Sequence, residues 1–276
     1  MNQRSHRSYR GPLQALVLDW AGTAVDYGSF APTSVFLRLF ESQNVPITPE
    51  DARSGMGLMK KDHLRTILAR PSVAETWQAV HGALASEADI NNLFDNFVPL
   101  QLDVLKDYAE PIPGVLNTLK MLRQQGLKIG STTGYLRSMM DILAPEAAQR
   151  GYAPDCTICP DEVPAGRPYP WMCYQNAIRL GVYPMQAMVK IGDSLADIEE
   201  GLNAGMWTIG LSLSGNMLGL REAEVGALPA DVLTAKRQAI SEQMMQTGAH
   251  YVIDGLWDCL PIIEAINTRL AAGECP

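Results

Sequence analysis

The stretch Leu16-Val17-Leu18-Asp19-Trp20-Ala21-Gly22-Thr23 decides the fold of this 276-residue chain. Ala15 to Leu18 is an uninterrupted apolar run, which is typical of a strand buried on both faces of a parallel sheet. The run ends at the carboxylate of Asp19, and Gly22 then signals a tight turn. Ligands of open parallel sheets bind just beyond the carboxyl ends of the strands, so Asp19 is expected at a site. An aspartate there can act as a nucleophile, as a ligand of Mg²⁺, or as both.

The rest of the chain divides into a helical block and an alternating block. From Pro111 onward, apolar strand-like runs at 127–131, 156–159, 187–192, 207–211 and 251–253 alternate with helical patterns. This alternation predicts an α/β fold, a doubly wound (Rossmann-like) parallel sheet with helices on both faces. Between Gly28 and Lys106 the periodicity is helical throughout. We therefore predict a core of residues 1–27 and 107–276, with an all-helical cap domain at 28–106 inserted after the first strand.

Charge and cysteine content restrict the class of protein. The net charge of −8 disfavours nucleic acid as a partner, because binding to phosphate backbones needs clustered Lys and Arg. No apolar run approaches the roughly 20 residues of a membrane helix. The first ten residues, with Arg4 and Arg7, lead into no apolar segment long enough for a secretory signal. The five cysteines are scattered and odd in number, as expected for reduced thiols in the cytoplasm. The pair Cys156 and Cys159 has no second pair for zinc, and we interpret it as structural.

Three further strand ends carry polar groups. Ser131-Thr132-Thr133-Gly134 offers hydroxyls and backbone amides, a turn that can hold a phosphate oxygen or simply cap a helix. Arg167 stands in a loop stiffened by Pro164 and Pro168, and its guanidinium matches phosphate geometry. Asp193 and Asp197 form a D-x-x-x-D at the next strand end, a spacing that suits a hard divalent cation.

The order Asp19 with Thr23, then Thr133, then Arg167, then Asp193 with Asp197, resembles the haloacid dehalogenase superfamily of phosphotransferases. The resemblance covers the whole chain and implies that Asp19 attacks phosphorus while Thr133 and Arg167 hold the phosphoryl group. It also implies a Mg²⁺ ion ligated by Asp19, Asp193 and the backbone carbonyl of Ala21, with Asp197 in support. The helical insertion matches the cap domain of the superfamily.

One departure from the superfamily pattern and one further motif narrow the expected activity. Phosphatases of the superfamily carry D-x-D at the first strand, and here the second Asp is replaced by Ala21, so the general acid is missing. The inserted motif Met56-Gly57-Leu58-Met59-Lys60-Lys61-Asp62-His63 is similar to that of the phosphonatases. In that family a cap lysine forms a Schiff base with the aldehyde of phosphonoacetaldehyde. The lysine of the motif falls on Lys60, with Lys61 as its rival, and neighbouring apolar groups or a cation should lower the pKa of Lys60.

This resemblance implies hydrolysis of a carbon–phosphorus bond to acetaldehyde and phosphate. It implies a homodimer as well, for which we expect the apolar cap helix at 35–40 to contribute. The remaining substrate contacts that it implies are Met56, Gly57, His63, Tyr135, Gly22, Thr23 and Ser29, the last standing where some members carry Cys. Two alternatives remain open at this point: a cap-bearing sugar phosphatase or phosphomutase, and a catalytically silent protein that binds a phosphate ligand.

Overall fold

A six-stranded parallel sheet forms the centre of the computed structural model, which describes residues 9–276. Arg4 and Arg7 lie outside these residues. The strands are β1 Ala15–Leu18, β2 Lys128–Thr132, β3 Cys156–Ile158, β4 Met188–Gly192, β5 Trp207–Leu211 and β6 Tyr251–Ile253. Their order in the sheet is β3-β2-β1-β4-β5-β6. The predicted doubly wound sheet is confirmed.

Within residues 9–276, twelve α-helices accompany the sheet, and several end at glycines in the left-handed conformation. Their bounds are α1 Phe30–Ser42, α2 Pro49–Arg53, α3 Lys60–Leu68, α4 Pro71–His81, α5 Glu87–Val104, α6 Val115–Gln124, α7 Arg137–Gln149, α8 Trp171–Leu180, α9 Leu195–Asn203, α10 Glu222–Ala227, α11 Ala230–Thr247 and α12 Cys259–Ala272. Helix α10 has no counterpart in the predicted pattern, since it contains no buried residue to produce an apolar periodicity.

The strand order places the site. The chain leaves β1 towards β2 and β3 on one side, and then returns to β4 on the other side of β1. The crevice of a doubly wound sheet opens where the strand order reverses, here at the carboxyl ends of β1 and β4. Leu18 pairs with Ile191, and the amide of Asp19 donates to the carbonyl of Ile191 at 3.0 Å. Asp19 and Asp193 therefore emerge from neighbouring strands at the same edge.

Helices α1 to α5 pack on one another above this edge, and residues 28–106 contain no strand. The Phe36 ring of α1 stacks on Phe97 of α5 with centroids 4.5 Å apart, and it also contacts the His63 ring of α3. The apolar face of α1 is thus buried inside the chain. The expectation that residues 35–40 form a subunit contact is wrong, because α5 covers that face.

Two further observations bear on the class of protein. No helix within residues 9–276 is long and apolar enough to cross a membrane. All five cysteines are free, and Cys159 is buried beyond the end of β3. Burial raises the pKa of the Cys159 thiol to about 12, and of Cys156 to about 11, which disfavours the thiolate that zinc requires.

Candidate active site

Asp19 is held at the tip of β1 by Arg167, an arginine from the segment that follows β3. Arg167 donates from Nη2 to Asp19 Oδ1 at 2.7 Å, and from Nη1 to the Gly57 carbonyl at 3.2 Å. Arg167 follows β3, and its side chain is fully buried. Burial raises the pKa of Asp19, while Arg167 opposes the shift. The guanidinium therefore connects the strand-end carboxylate to the loop of the inserted helices.

A buried network supports this arginine. Glu200 on α9 accepts from Arg167 Nε at 2.9 Å and from the Thr132 hydroxyl at 3.0 Å. Lys190, fully buried within β4, donates to Thr132 Oγ1 at 3.0 Å and to Asp197 Oδ1 at 2.6 Å. Buried charges persist only when they are paired and hydrogen-bonded, and this network meets that condition. It fixes the plane of the Arg167 guanidinium and thereby the positions of Nη1, which contacts Gly57, and Nη2, which contacts Asp19.

Asp193 and Asp197 have different surroundings. Asp193 Oδ2 accepts from the backbone amide of Asn216 at 2.6 Å. A Cβ at position 22 would lie 2.0 Å from that oxygen, so the turn after β1 requires glycine at this position. Asp197 accepts from Lys190 and from Ser194 Oγ at 2.6 Å, and it forms an ion pair with Arg167 at 3.1 Å. Burial opposes ionisation of Asp197, but Arg167 and Lys190 outweigh it and lower its pKa. Burial and the charges of Asp19 and Asp197 raise the pKa of Asp193 well above its usual range.

These acids form a candidate metal centre. Carboxylate oxygens of Asp19, Asp193 and Asp197 lie within 4.8 Å of one another, and all three residues are buried. With Glu200 they make four buried carboxylates, which face the two buried cations Arg167 and Lys190. Two negative charges are left over when all are ionised, so the donor set fits a divalent cation. Lys190 and Ser194 engage both oxygens of Asp197, whereas Asp19 and Asp193 each have one oxygen without a hydrogen bond from the described residues, so these two are the candidate ligands.

A small cleft lies next to Asp19, and residues of the inserted helices form part of its wall. Most of its wall comes from residues that the sequence analysis singled out. The lining residues are Asp19, Ala21, Ser29, Pro32, Met56, Gly57, Lys60, Thr133, Gly134, Tyr135 and Asp193. Residues from β1, β2 and β4 thus share one cavity with residues from the loop before α3.

Lys60, the first residue of α3, is 2% exposed and lines this cleft. Burial lowers the pKa of its ammonium group to about 7, with Arg167 adding to the shift and Asp19 opposing it. Its Nζ lies 4.9 Å from the centre of the Tyr135 ring. An amine with this pKa is about half in the free-base form at pH 7, and the free base can act as a nucleophile. The expected lowering of the Lys60 pKa is confirmed, with burial as its main cause.

Several predicted residues lie outside the lining. His63 is buried, its Nε2 contacts the Ala52 carbonyl at 2.8 Å, and its Nδ1 has no partner. A ring nitrogen that faces a carbonyl must carry the proton, so Nδ1 is the free acceptor. Burial and nearby Lys60 lower the pKa of His63 well below its usual value. Thr23 is also buried, with its hydroxyl unpartnered. The Ser29 hydroxyl also has no hydrogen-bond partner, but Ser29, unlike Thr23, lines the cleft.

Three residues of the network were missed from the sequence: Thr132, Lys190 and Glu200. A lysine inside the buried run Met188–Gly192 is a usable signal, because it demands an acidic partner. The partner itself cannot be read from spacing, since Asp197 and Glu200 reach Lys190 from the next helix. Thr132 could not be told apart from its neighbour Thr133 in the sequence, because the two have the same side chain.

A buried carboxylate at the switch point of a parallel sheet, beside an arginine and an acid pair, defines a phosphotransfer site. The chain belongs to the haloacid dehalogenase-like hydrolases, whose family model matches residues 13–205. It is 52% identical over 268 residues to a phosphonoacetaldehyde hydrolase-like protein of Syntrophobacter fumaroxidans, covering 97% of each chain.

It is also 48% identical to a phosphonoacetaldehyde hydrolase of Nitratidesulfovibrio vulgaris, covering 98% of this chain and 96% of the relative. The crystal structure of a phosphonoacetaldehyde hydrolase-like protein from Oleispira antarctica superimposes with a TM-score of 0.96 at 38% identity. In that comparison both chains are covered completely. The resemblance drawn from the motifs is confirmed.

Proposed function

We propose that this protein hydrolyses the carbon–phosphorus bond of phosphonoacetaldehyde to acetaldehyde and phosphate. The observation that carries the proposal is that the Lys60 amine and the Asp19 carboxylate line one cleft. The names of the relatives support the same substrate. The direct test is to supply phosphonoacetaldehyde and measure phosphate and acetaldehyde in equal amounts. Release of phosphate from sugar phosphates, without release from phosphonoacetaldehyde, would contradict the proposal.

The two side chains divide the chemistry. Cleavage of a C–P bond places an electron pair on carbon, which is a poor leaving group unless that pair is delocalised. Condensation of neutral Lys60 with the aldehyde releases water and gives an imine, which is protonated on nitrogen. The electron pair of the breaking bond then moves to that nitrogen and yields an enamine. We propose that His63 assists Lys60 by staying neutral beside it, so that it adds no second positive charge near the amine.

Asp19 attacks phosphorus as the C–P bond breaks, and an aspartyl phosphate forms. Water then attacks this acyl phosphate, which releases phosphate and restores the Asp19 carboxylate. The enamine takes a proton on carbon, and hydrolysis of the resulting imine frees acetaldehyde and Lys60. Arg167 and Thr133 hold the phosphonate oxygens, with Tyr135, Met56, Gly57 and Ser29 around the aldehyde. Gly22 and Thr23 shape the turn after β1 that presents Asp19.

The absence of a carboxylate at position 21 separates this proposal from its alternatives. Ala21 lines the cleft where a phosphatase of the D-x-D type has its general acid. Losing such an acid costs about 10²–10⁴ in rate for an ester substrate. An enamine leaving group needs no protonation of an ester oxygen, so Ala21 is compatible with C–P cleavage. A silent binding protein would have no use for a buried lysine beside a buried aspartate.

Mg²⁺ is the cation that we propose for the acidic centre. Asp19, Asp193 and the Ala21 carbonyl would hold it, with Asp197 orienting the site through Lys190 and Ser194. When bound, the ion neutralises charge on the phosphoryl oxygens.

Mg²⁺ should stabilise the folded protein as well as activate it. Binding offsets the repulsion between the buried carboxylates of Asp19 and Asp193, and saturation at 100 times Kd stabilises by about 2.7 kcal/mol. We expect the Tm to rise when MgCl₂ is added to chelator-treated protein, as measured by calorimetry. Asp193→Asn should remove the rise, whereas Asp161→Asn, at an exposed acid away from the cluster, should keep it. An equal rise in Asp193→Asn would contradict the assignment of the ligands.

The pH dependence should follow Lys60. The amine must be neutral to attack, so kcat/KM should fall tenfold per pH unit below about 7 and level off above it. The groups that face Lys60 are Asp19, Arg167, His63 and Tyr135. A pH–rate profile of kcat/KM checks this, and a limb with its midpoint near the ordinary lysine pKa would contradict it.

We propose a cytoplasmic homodimer. The resemblance to the phosphonatases and the free cysteines support it, but the contact differs from the one expected on α1. Four large apolar side chains around α8 are exposed: Tyr169, Trp171, Ile178 and Tyr183. Such a patch favours association with a second copy.

Sedimentation should therefore give a dimer for the unmodified protein and a monomer for Ile178→Asp, whose side chain is 70% exposed. Met245→Asp, on α11, places the same charge on another exposed apolar residue and should leave the dimer intact. A monomer before any substitution would contradict the assembly.

A further inference from the structure

Arg53, the last residue of α2, reaches from the inserted helices to a loop of the core. Its Nη1 donates to the Gly28 carbonyl at 2.7 Å and to Asn216 Oδ1 at 3.1 Å, and its Nη2 donates to the Gly219 carbonyl at 3.4 Å. These partners belong to the connection after β1 and to the loop after β5. One guanidinium thus joins three chain segments.

The loop is shaped to receive this side chain. Gly219 has φ +64°, and a Cβ there would lie 2.8 Å from Arg53 Nε and 2.9 Å from Cζ. The Phe30 ring has the Arg53 guanidinium 4.9 Å from its centre and the Arg221 guanidinium at 4.6 Å. A planar cation fits such a stacked seat better than an ammonium group does.

The loop is attached to the core without help from Arg53. Ser214 Oγ donates to the Gly22 carbonyl at 3.0 Å, and the Asn216 amide donates to Asp193 at 2.6 Å. The loop is therefore a fixed anchor, and α2 is the element that Arg53 attaches to it.

On the other side, Arg53 is close in sequence to the residues that close the cleft. Met56 and Gly57 follow it in the cleft wall, and Lys60 begins the next helix. Met56 also lines an outer groove, in which Arg53 lies. Met56, three residues after Arg53, thus belongs to the walls of both the cleft and the outer groove.

We propose that Arg53 is a positioning residue that latches α2 onto the 214–219 loop and so holds Lys60 over Asp19. The inference rests on the proposed function, because its readout is Schiff-base chemistry at Lys60. Release of the latch opens the cleft to the outer groove for the exchange of substrate and product. Closure returns the amine to the aldehyde and excludes water.

Two substitutions should release the latch by different means. Arg53→Ala removes the guanidinium, and Gly219→Ala fills its seat while leaving the arginine in place. In each, kcat and the rate of borohydride trapping at Lys60 should fall about 10- to 100-fold, the effect of losing one or two charge-assisted hydrogen bonds. The inhibition constant of inorganic phosphate should change less than about twofold, because the core groups that bind phosphate stay in place.

Gly205→Ala is the matched control. Gly205 has φ +73°, so alanine is strained there as it is at position 219, but its Cβ would meet nothing within 4 Å. This variant should keep the wild-type kcat. Wild-type kcat and trapping in both Arg53→Ala and Gly219→Ala would overturn the latch. A parallel loss of phosphate inhibition in these two variants would also overturn the latch, because it indicates general damage. An equal loss of kcat in Gly205→Ala would overturn it as well. If the unmodified protein itself forms no imine, the proposed function fails instead.

Discussion

Replacing Lys60 by arginine should abolish turnover, with a loss on the order of 10⁴-fold or more. Arginine keeps a positive charge and a similar length, but it stays protonated and cannot condense with an aldehyde. Without the imine, the electrons of the C–P bond have no acceptor, and Asp19 faces a leaving group that does not leave. Phosphate release from phosphonoacetaldehyde is the measurement, with inhibition by inorganic phosphate as evidence that the core site is intact.

Lys61→Arg is the control for this substitution. Lys61 is the neighbouring lysine of the same motif, but its Nζ donates to Asn91 Oδ1 at 2.7 Å and lies 4.9 Å from the centre of the Phe94 ring, away from the cleft. Arginine can keep both contacts, so activity should stay within about twofold, as is usual for surface substitutions. Loss of activity in Lys61→Arg with retention in Lys60→Arg would reverse the assignment.

Asp19→Asn should be as damaging as loss of the lysine, but it should stop the reaction one step later. The amide cannot attack phosphorus, so phosphate release should fall on the order of 10⁴-fold or more. Lys60 remains next to the aldehyde, and imine formation does not require a nucleophile at position 19. Borohydride should therefore trap a phosphonoethyl group on Lys60, with the C–P bond still intact.

Mass analysis of this variant distinguishes the two halves of the mechanism. A trapped adduct that retains phosphorus places imine formation before phosphoryl transfer. Removing the Asp19 charge also removes the group that most raises the Lys60 pKa, so a free amine remains available. Phosphate release at the wild-type rate would show that Asp19 is not the nucleophile.

The meeting of Asp19 and Asp193 at one edge of the sheet was predictable, because it follows from the topology of parallel strands. An apolar run that ends in Asp19, and a second that ends in Asp193, indicate parallel strands with carboxyl ends at one edge. The structure places these strands next to each other and brings the two carboxylates together. The position of Arg167 follows less directly, since Arg167 comes after β3 and β2 lies between β3 and β1 in the sheet.

The contacts made by the inserted helices were not predictable in the same way. Lys60 reaches Asp19 only through tertiary packing, and nothing in local spacing measures that distance. The motif identified the lysine and led us to expect a lowered pKa, whereas the near-complete burial that is the main cause of the shift required coordinates. The apolar face of α1 shows the opposite error: its periodicity predicts a buried face but not whether the cover is a partner or α5. Likewise, Arg53 looks like an ordinary surface arginine until the seat at Gly219 is known.

The most direct test of the central claim is borohydride reduction of the unmodified protein during turnover of phosphonoacetaldehyde. Peptide mapping should find an ethyl group, two carbons without phosphorus, on Lys60, because the C–P bond breaks after the imine forms. Omitting either the substrate or the reductant should leave Lys60 unmodified. An adduct at another residue, or no adduct while phosphate is being released, would contradict a mechanism in which Lys60 supplies the electron sink and Asp19 takes the phosphoryl group.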